Sequence, residues 1–292
     1  MSVMTGMNDT NAATTGAWTC DVLRAGSLRL DGGGMFGIIP KSMWSSWVDA
    51  DDANRIDLQT NCLLLRRGGR TVLVETGCGD KWSEKERAMY ALEPRTVVDA
   101  LRERDVDPAS IDTVIVTHLH FDHAGGLTTF GGGDPDDRDA SPSLVFPNAE
   151  IVVQRREWDD ALANRSTMTR TYLRSHLDPI AERVRLVDGV ADVAPGIRVE
   201  PLPGHTPGQQ GVFVETTRGT VVFPGDLLPT IHHAHHSAAT AYDMEPYETM
   251  QVKRRFLERT IDEDLTIVLD HEPGEPTVRA RRDERGRITL VP

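Results

Sequence analysis

The sequence predicts an α/β (α+β) protein of packed sheet and helix layers in one domain. Two observations carry that reading: strand and helix signals are interleaved along most of the 292 residues, and hairpin signals recur. Interleaving of this kind argues for layers built around a shared core. No clear short-period repeat divides the chain.

Taken in order, Trp18 to Leu30 is strand-like, and Asp31-Gly32-Gly33-Gly34 marks a turn. Met35 to Trp47 is an apolar segment broken by Pro40. Cys62 to Arg66 and Thr71 to Glu75 flank Arg67-Gly68-Gly69-Arg70 and read as a β-hairpin. Thr96 to Arg104 has helical spacing, with Val97, Val98 and Leu101 on one face. Ile111 to Val116 is a buried strand, and Gly131 to Ser143 is a polar Gly/Asp/Pro loop. Ile151 to Gln154 is a strand, and Arg156 to His176 reads as helical with room for a break. Strands follow at Val184–Val187, Ile197–Pro201, Gly211–Val214 and Thr220–Phe223. Glu248 to Arg259 is an amphipathic helix, and Leu265 to Asp270 a final buried strand. Residues 1–17 are small and polar and read as a disordered tail, which leaves 18–292 as a single domain.

Composition narrows the class. Hydrophobic residues are 39% and charged residues 26%, values of a soluble globular protein. A net charge of −13 repels phosphate backbones, which argues against a nucleic-acid partner. The three cysteines are odd in number and form no CxxC pair, so a reducing cytoplasm fits better than a disulfide framework. The N-terminus lacks the basic start and apolar run of a signal peptide. No stretch approaches the roughly 18 apolar residues that span a bilayer. A small molecule is therefore the expected partner, with no membrane association; a homodimer stays open.

The chemistry centres on Thr117-His118-Leu119-His120-Phe121-Asp122-His123-Ala124-Gly125-Gly126, directly after a buried strand. His118 and His120 are two apart, so in an extended segment they face the same way. Asp122 and His123 follow where the chain must turn, and can point to a second, neighbouring location. Neutral imidazole and carboxylate suit zinc and similar borderline ions. Three further apolar strands each run into a ligand type: His205 at a Gly/Pro turn, Asp226 after Val221-Val222-Phe223-Pro224-Gly225, and His271 after Ile267-Val268-Leu269-Asp270. Each of these is weak alone. With the HxHxDH cluster they make seven ligands, the number two metal sites require.

The ordered motifs resemble those of the metallo-β-lactamase superfamily, over nearly all of residues 18–292. The resemblance implies a four-layer αβ/βα sandwich with the metal site at one edge. It implies that His118, His120 and His205 bind one metal, that Asp122, His123 and His271 bind a second, and that Asp226 bridges them. Two divalent ions are expected, zinc first, with Mn2+, Fe2+ or Co2+ also suited to such ligands. Asp226 separates this chain from the zinc β-lactamases proper, several of which use cysteine there. Water bridging two cations loses a proton near neutral pH, and the hydroxide attacks a carbonyl or phosphoryl centre. Asp122 and Asp226 are the expected catalytic carboxylates, able to relay a proton to the leaving oxygen.

Two outlying motifs bear on the substrate. Gly34-Met35-Phe36-Gly37-Ile38-Ile39-Pro40-Lys41 with Trp44, and Gly225-Asp226-Leu227-Leu228-Pro229-Thr230 with Tyr242-Asp243-Met244-Glu245-Pro246, are similar to the branch of quorum-quenching N-acyl-homoserine-lactone lactonases and methyl-parathion-type hydrolases. Met35, Phe36, Ile38, Ile39 and Trp44 can wall an apolar pocket over the metals or can equally pack the core. Several lactonases of that branch carry a tyrosine three residues after the bridging aspartate. Pro229 stands there in this chain, and Tyr242 is the candidate replacement. Of the run His232-His233-Ala234-His235-His236, most members are expected on an exposed loop, with His233 the one facing the pocket. The leading expectation is lactone hydrolysis. The alternatives are an aryl ester or organophosphate triester hydrolase and, in another class, a mono-iron oxidoreductase like the persulfide dioxygenases.

Overall fold

The computed structural model describes residues 16–131, 141–168 and 170–292. Most of the expected 1–17 tail and most of the expected 131–143 loop lie outside them. The first sheet is ordered β1-β2-β3-β4-β7-β8. Its strands are β1 (Thr19–Asp31), β2 (Arg55–Arg67), β3 (Arg70–Val74), β4 (Thr113–Ile115), β7 (Glu150–Gln154) and β8 (Val184–Val187). A short ribbon of β5 (Thr128–Thr129) and β6 (Ser143–Leu144) stands apart. The second sheet runs β15-β14-β13-β12-β11-β10-β9. It comprises β9 (Ala191–Ala194), β10 (Ile197–Pro201), β11 (Gln210–Thr216), β12 (Gly219–Phe223), β13 (Thr266–Val268), β14 (Thr277–Arg282) and β15 (Ile288–Val291). The helices are α1 (Gly32–Phe36), α2 (Lys41–Trp44), α3 (Glu84–Tyr90), α4 (Val97–Arg102), α5 (Phe121–Ala124), α6 (Arg155–Leu162), α7 (Arg174–Leu177) and α8 (Pro246–Asp262).

The apolar runs explain the layering. Successive strand residues point to opposite faces, and both faces of the central strands are buried. Cys62 and Leu64 pack outward with Leu73, Val114 and Ile151 against Val97, Ala100 and Leu101 of α4 and Trp158 of α6. Leu63 and Leu65 pack inward with Val72, Val74, Ile115 and Val152, and meet Val199, Val212, Val214 and Phe223 of the second sheet. On that sheet's outer face, Phe213, Val222 and Ile267 lie against Val252, Phe256 and Leu257 of α8. The order helix, sheet, sheet, helix is the four-layer αβ/βα sandwich.

Strand direction places the site. β3, β4, β7 and β8 run parallel. β10 and β12 are both antiparallel to β11, and β13 is parallel to β12, so β10, β12 and β13 end at the same edge.

Three expectations need correcting. The helix expected over 156–176 is two pieces: α6 ends at Leu162, Asn164 takes a left-handed conformation (φ 49°), and α7 begins at Arg174. The intervening Asn-Arg-Ser-Thr stretch offers no apolar stripe to continue a helix. The strand after α8 is not the last, because β14 and β15 follow. In β14, Val278 and Ala280 face the core while Arg279 and Arg281 reach Asp264 at 2.7 and 3.3 Å. Finally, β9 and the short helices α1 to α3 were not anticipated as elements.

Candidate metal centre

Each candidate ligand sits where a strand has just ended. His118 lies three residues past β4, His120 is the N-cap of α5, and Asp122 and His123 lie within α5. His205 follows β10, Asp226 lies in a 3-10 turn after β12, and His271 follows β13. Two groups result, each with ligand atoms within 4.8 Å of one another. One is His118, His120, His205 and Asp226; the other is His123, Asp226, Asp270 and His271.

Asp226 belongs to both groups, one oxygen to each. Its Oδ2 is 3.0 Å from His205 Nε2 and 3.9 Å from His118 Nε2. Its Oδ1 is 3.2 Å from His271 Nε2 and 3.5 Å from His123 Nε2. Asp122 closes the second group from the other side, with Oδ2 3.5 Å from His271 Nε2 and Oδ1 3.8 Å from His123 Nε2.

The arrangement fits cations. His120 Nδ1 and His205 Nε2 face each other at 3.0 Å, as do His271 Nε2 and His123 Nε2 at 3.3 Å. Each pair is close enough to share one proton, and once both facing nitrogens are deprotonated it turns two lone pairs toward a cation. The buried His118 Nε2 and Asp226 Oδ1 have no hydrogen-bond partner among the described residues, and unsatisfied buried polar atoms are costly. The donors are all imidazole nitrogen and carboxylate oxygen, a set that suits Zn2+ and other first-row divalent ions.

The protonation preferences follow from the surroundings. Burial and neighbouring imidazoles hold His118 and His120 well below 6.5, so both stay neutral and keep a lone pair free. Burial also pulls His271 down, but the carboxylates of Asp226 and Asp270 outweigh it and raise its pKa to about 10. Burial opposes ionisation of Asp226, yet His205, His271 and His123 hold its carboxyl well below the usual range.

The far side of most rings is tied down, which fixes tautomer and orientation. His205 Nδ1 meets Asp243 Oδ1 at 2.9 Å, and His118 Nδ1 meets Thr117 Oγ1 at 3.0 Å. His271 Nδ1 donates to the Gln59 carbonyl at 2.9 Å. Glu75 Oε2 stands 3.5 Å from His123 Nδ1, while its Oε1 accepts from the Thr117 amide at 2.7 Å. Glu75 is buried and left-handed (φ 65°), a strained posture for a side chain of its size.

The Metallo-beta-lactamase superfamily model matches residues 55–271, three quarters of the chain and every ligand described above. The chain belongs to the metallo-β-lactamase superfamily. Relatives within that superfamily include the N-acyl homoserine lactonase AiiA of Bacillus thuringiensis subsp. kurstaki, 28% identical over 187 residues, 60% of this chain and 64% of the relative. The matched part thus spans under two thirds of that relative's length. Among solved structures, a probable metal-dependent hydrolase from Staphylococcus aureus is 28% identical with a TM-score of 0.84, covering 94% of this chain and 97% of the other. AidC, a dizinc quorum-quenching lactonase solved with a product, shares the fold at 19% identity and TM-score 0.76, covering 95% of each chain.

Met35, Phe36, Ile39 and Trp44 are buried in one cluster with Trp82 and Phe121, next to the ligand-bearing α5. Ile38 departs from the expected pocket wall. It is 79% exposed, because Gly37 (φ 54°) ends α1 and turns the chain outward. His233 departs too. Its Nδ1 is 2.8 Å from Thr230 Oγ1, its Nε2 2.9 Å from the Met35 carbonyl, and its ring stacks on Phe36 at 5.3 Å. Both nitrogens are spent on protein partners, so His233 pins α1 to the 230s turn and offers nothing to a substrate. His232 stacks on Trp47, and His235 and His236 are exposed. The Pro229 carbonyl accepts from the His271 amide at 3.0 Å. Tyr242 lies against Gly34, and its hydroxyl has no partner among the described residues. Burial, with added charge from Asp31 and Asp122, raises its pKa to about 12, so it stays a donor.

Sequence reasoning missed Asp270, Asp243 and Glu75. Asp270 was the most accessible, being a carboxylate directly before a strand-end histidine. Asp243 lies within a quoted motif, but nothing in its spacing says that it reaches His205.

Proposed function

We propose that the chain is a dinuclear-metal hydrolase that opens N-acyl-homoserine lactones or related lactones. The observation that carries the reading is Asp226, whose two oxygens face two separate histidine groups. The AiiA similarity supports the choice of lactone. Two divalent ions, zinc first, would polarise the scissile carbonyl and make water acidic at neutral pH.

The chain's own residues supply the rest. Asp226 sets the spacing of the two groups. Asp122 is the carboxylate suited to take the proton released as water adds to the ring carbonyl. The acyl carbon–oxygen bond then breaks, and the same proton passes from Asp122 to the departing ring oxygen, leaving a hydroxy acid. Tyr242, whose phenol stays protonated, is the candidate donor to the substrate. Met35, Phe36 and Trp44 are buried and pack the core beside the site instead of walling it, so the acyl-tail preference rests on the AiiA similarity; each CH₂ that a tail buries contributes about 0.8 kcal/mol.

Elemental analysis of protein purified without chelator tests the metal reading, with about two metals per chain expected. A panel of lactones with increasing acyl length, an aryl ester and an aryl phosphotriester tests the substrate. Faster ring opening with longer tails is expected. Inert lactones beside a well-hydrolysed phosphotriester would move the chain to the organophosphate branch.

A further inference from the structure

Glu157 is the third residue of α6, and its side chain is completely buried beside the first histidine group without touching any ligand atom. Burial raises its pKa, while three donors converge on it. Oε1 accepts from the Leu119 amide at 2.9 Å and from the Tyr172 hydroxyl at 3.0 Å. Oε2 accepts from Thr206 Oγ1 at 2.6 Å. Leu119 separates His118 from His120, and Thr206 follows His205. The Tyr172 ring stands 5.2 Å from the His120 ring.

Topology explains why this helix can reach both loops. β7 is the parallel neighbour of β4, so α6, starting directly after β7, stands beside the loop that leaves β4. The His205 loop presses on the same turn. A Cβ on Gly208 would lie 2.2 Å from the Glu157 backbone nitrogen, so only glycine permits the approach. A carboxylate is the side chain suited to three donors, since it has two acceptor oxygens and nothing to donate.

We infer that Glu157 is a positioning residue that clamps the His118–His120 and His205 loops together, and so sets metal affinity at the first histidine group only. Its polar contacts reach no part of the second group. The inference rests on reading the first group as a metal site. Positioning partners of metal ligands are worth about 10- to 100-fold in affinity.

The test is zinc binding by wild type, Glu157→Ala, Glu157→Gln and Thr206→Val, measured against a chromophoric chelator. Glu157→Gln keeps one acceptor oxygen for Leu119 and Tyr172 and offers an amide to Thr206, so it should stay close to wild type. Glu157→Ala should weaken one of the two zinc ions by about 10- to 100-fold and leave the other unchanged. Thr206→Val, which removes one arm, should shift the same ion in the same direction by less. Unchanged affinity for both ions in Glu157→Ala, or equal weakening of both as a loosened fold would give, overturns the inference. If Glu157→Ala does not fold, Thr206→Val decides: selective weakening supports the clamp, and no change refutes it. Wild type that binds no zinc would instead defeat the metal reading itself, a result distinguishable from either.

Discussion

The imidazoles of the centre are specified by their far sides as much as by their near ones. Asp243, Thr117, Glu75 and the Gln59 carbonyl each take one ring, and of the four only Thr117 stands beside its histidine in the sequence. His233 shows the same device outside the ligand set. Burial lowers its pKa to about 4, from an ordinary 6.5. A depressed histidine stabilises the fold when neutral, so its contribution is complete above pH 6.5 and is lost as the pH falls towards 4. By pH 5 about 2 kcal/mol of it is gone. Urea unfolding of wild type and His233→Asn should therefore differ most at pH 7.5, with the gap narrowed by about that amount at pH 5. An equal gap at both values would mean that the ring is not held neutral. At this scale the ligand types were legible, because a strand running into His or Asp is a local pattern. The partners were not, because Asp243 and His205 are far apart in sequence and meet only through folding.

The elements were legible in proportion to their burial. β2, β3, β4, β11 and β12 are apolar runs covered on both sides, and the sequence marks them as such. β14 and β15 lie towards one edge of the second sheet; β14 alternates two small apolar residues with arginines and β15 is only four residues long, so neither makes a strong apolar run. The short α1 was invisible because three consecutive glycines look like a turn. Those glycines have a packing role. A Cβ on Gly34 would lie 2.2 Å from the Tyr242 hydroxyl, so the helix has to be bare there for the phenol to fit. Gly34→Ala should displace Tyr242 and lower kcat/KM for lactones by the same factor as Tyr242→Phe, and the double variant should lose no more than either. Independent losses that multiply would show that α1 and Tyr242 act separately.

At the scale of the whole molecule the centre is a seam. The first sheet and its following loop contribute His118, His120, Asp122 and His123, and the second contributes His205, Asp226, Asp270 and His271. The seam has its own stitching: Gln210, at the start of β11, donates to the Val116 carbonyl at 2.8 Å and from its backbone to Thr117 at 2.9 Å, while Gln154 Nε2 reaches Gln210 Oε1 at 2.9 Å. These bonds hold the edge, but they leave five imidazoles and three carboxylates converging there, with orphaned buried atoms that a cation satisfies. Ions bound at the seam therefore cross-link the two sheets, and ligand binding to the folded state alone stabilises it by about 4 kcal/mol per ion at a thousandfold excess over Kd. For a chain of this size that is a rise in Tm on the order of 10 °C. Chelator-treated protein should melt lower and recover on titration with zinc, saturating near two equivalents. Asp226→Ala removes the carboxylate shared by both groups, so it should abolish hydrolysis, stay soluble, and lose most of the zinc-dependent rise. A wild type whose Tm ignores zinc would refute the cross-link, and an Asp226→Ala protein with the full rise would show that the two groups hold their ions independently.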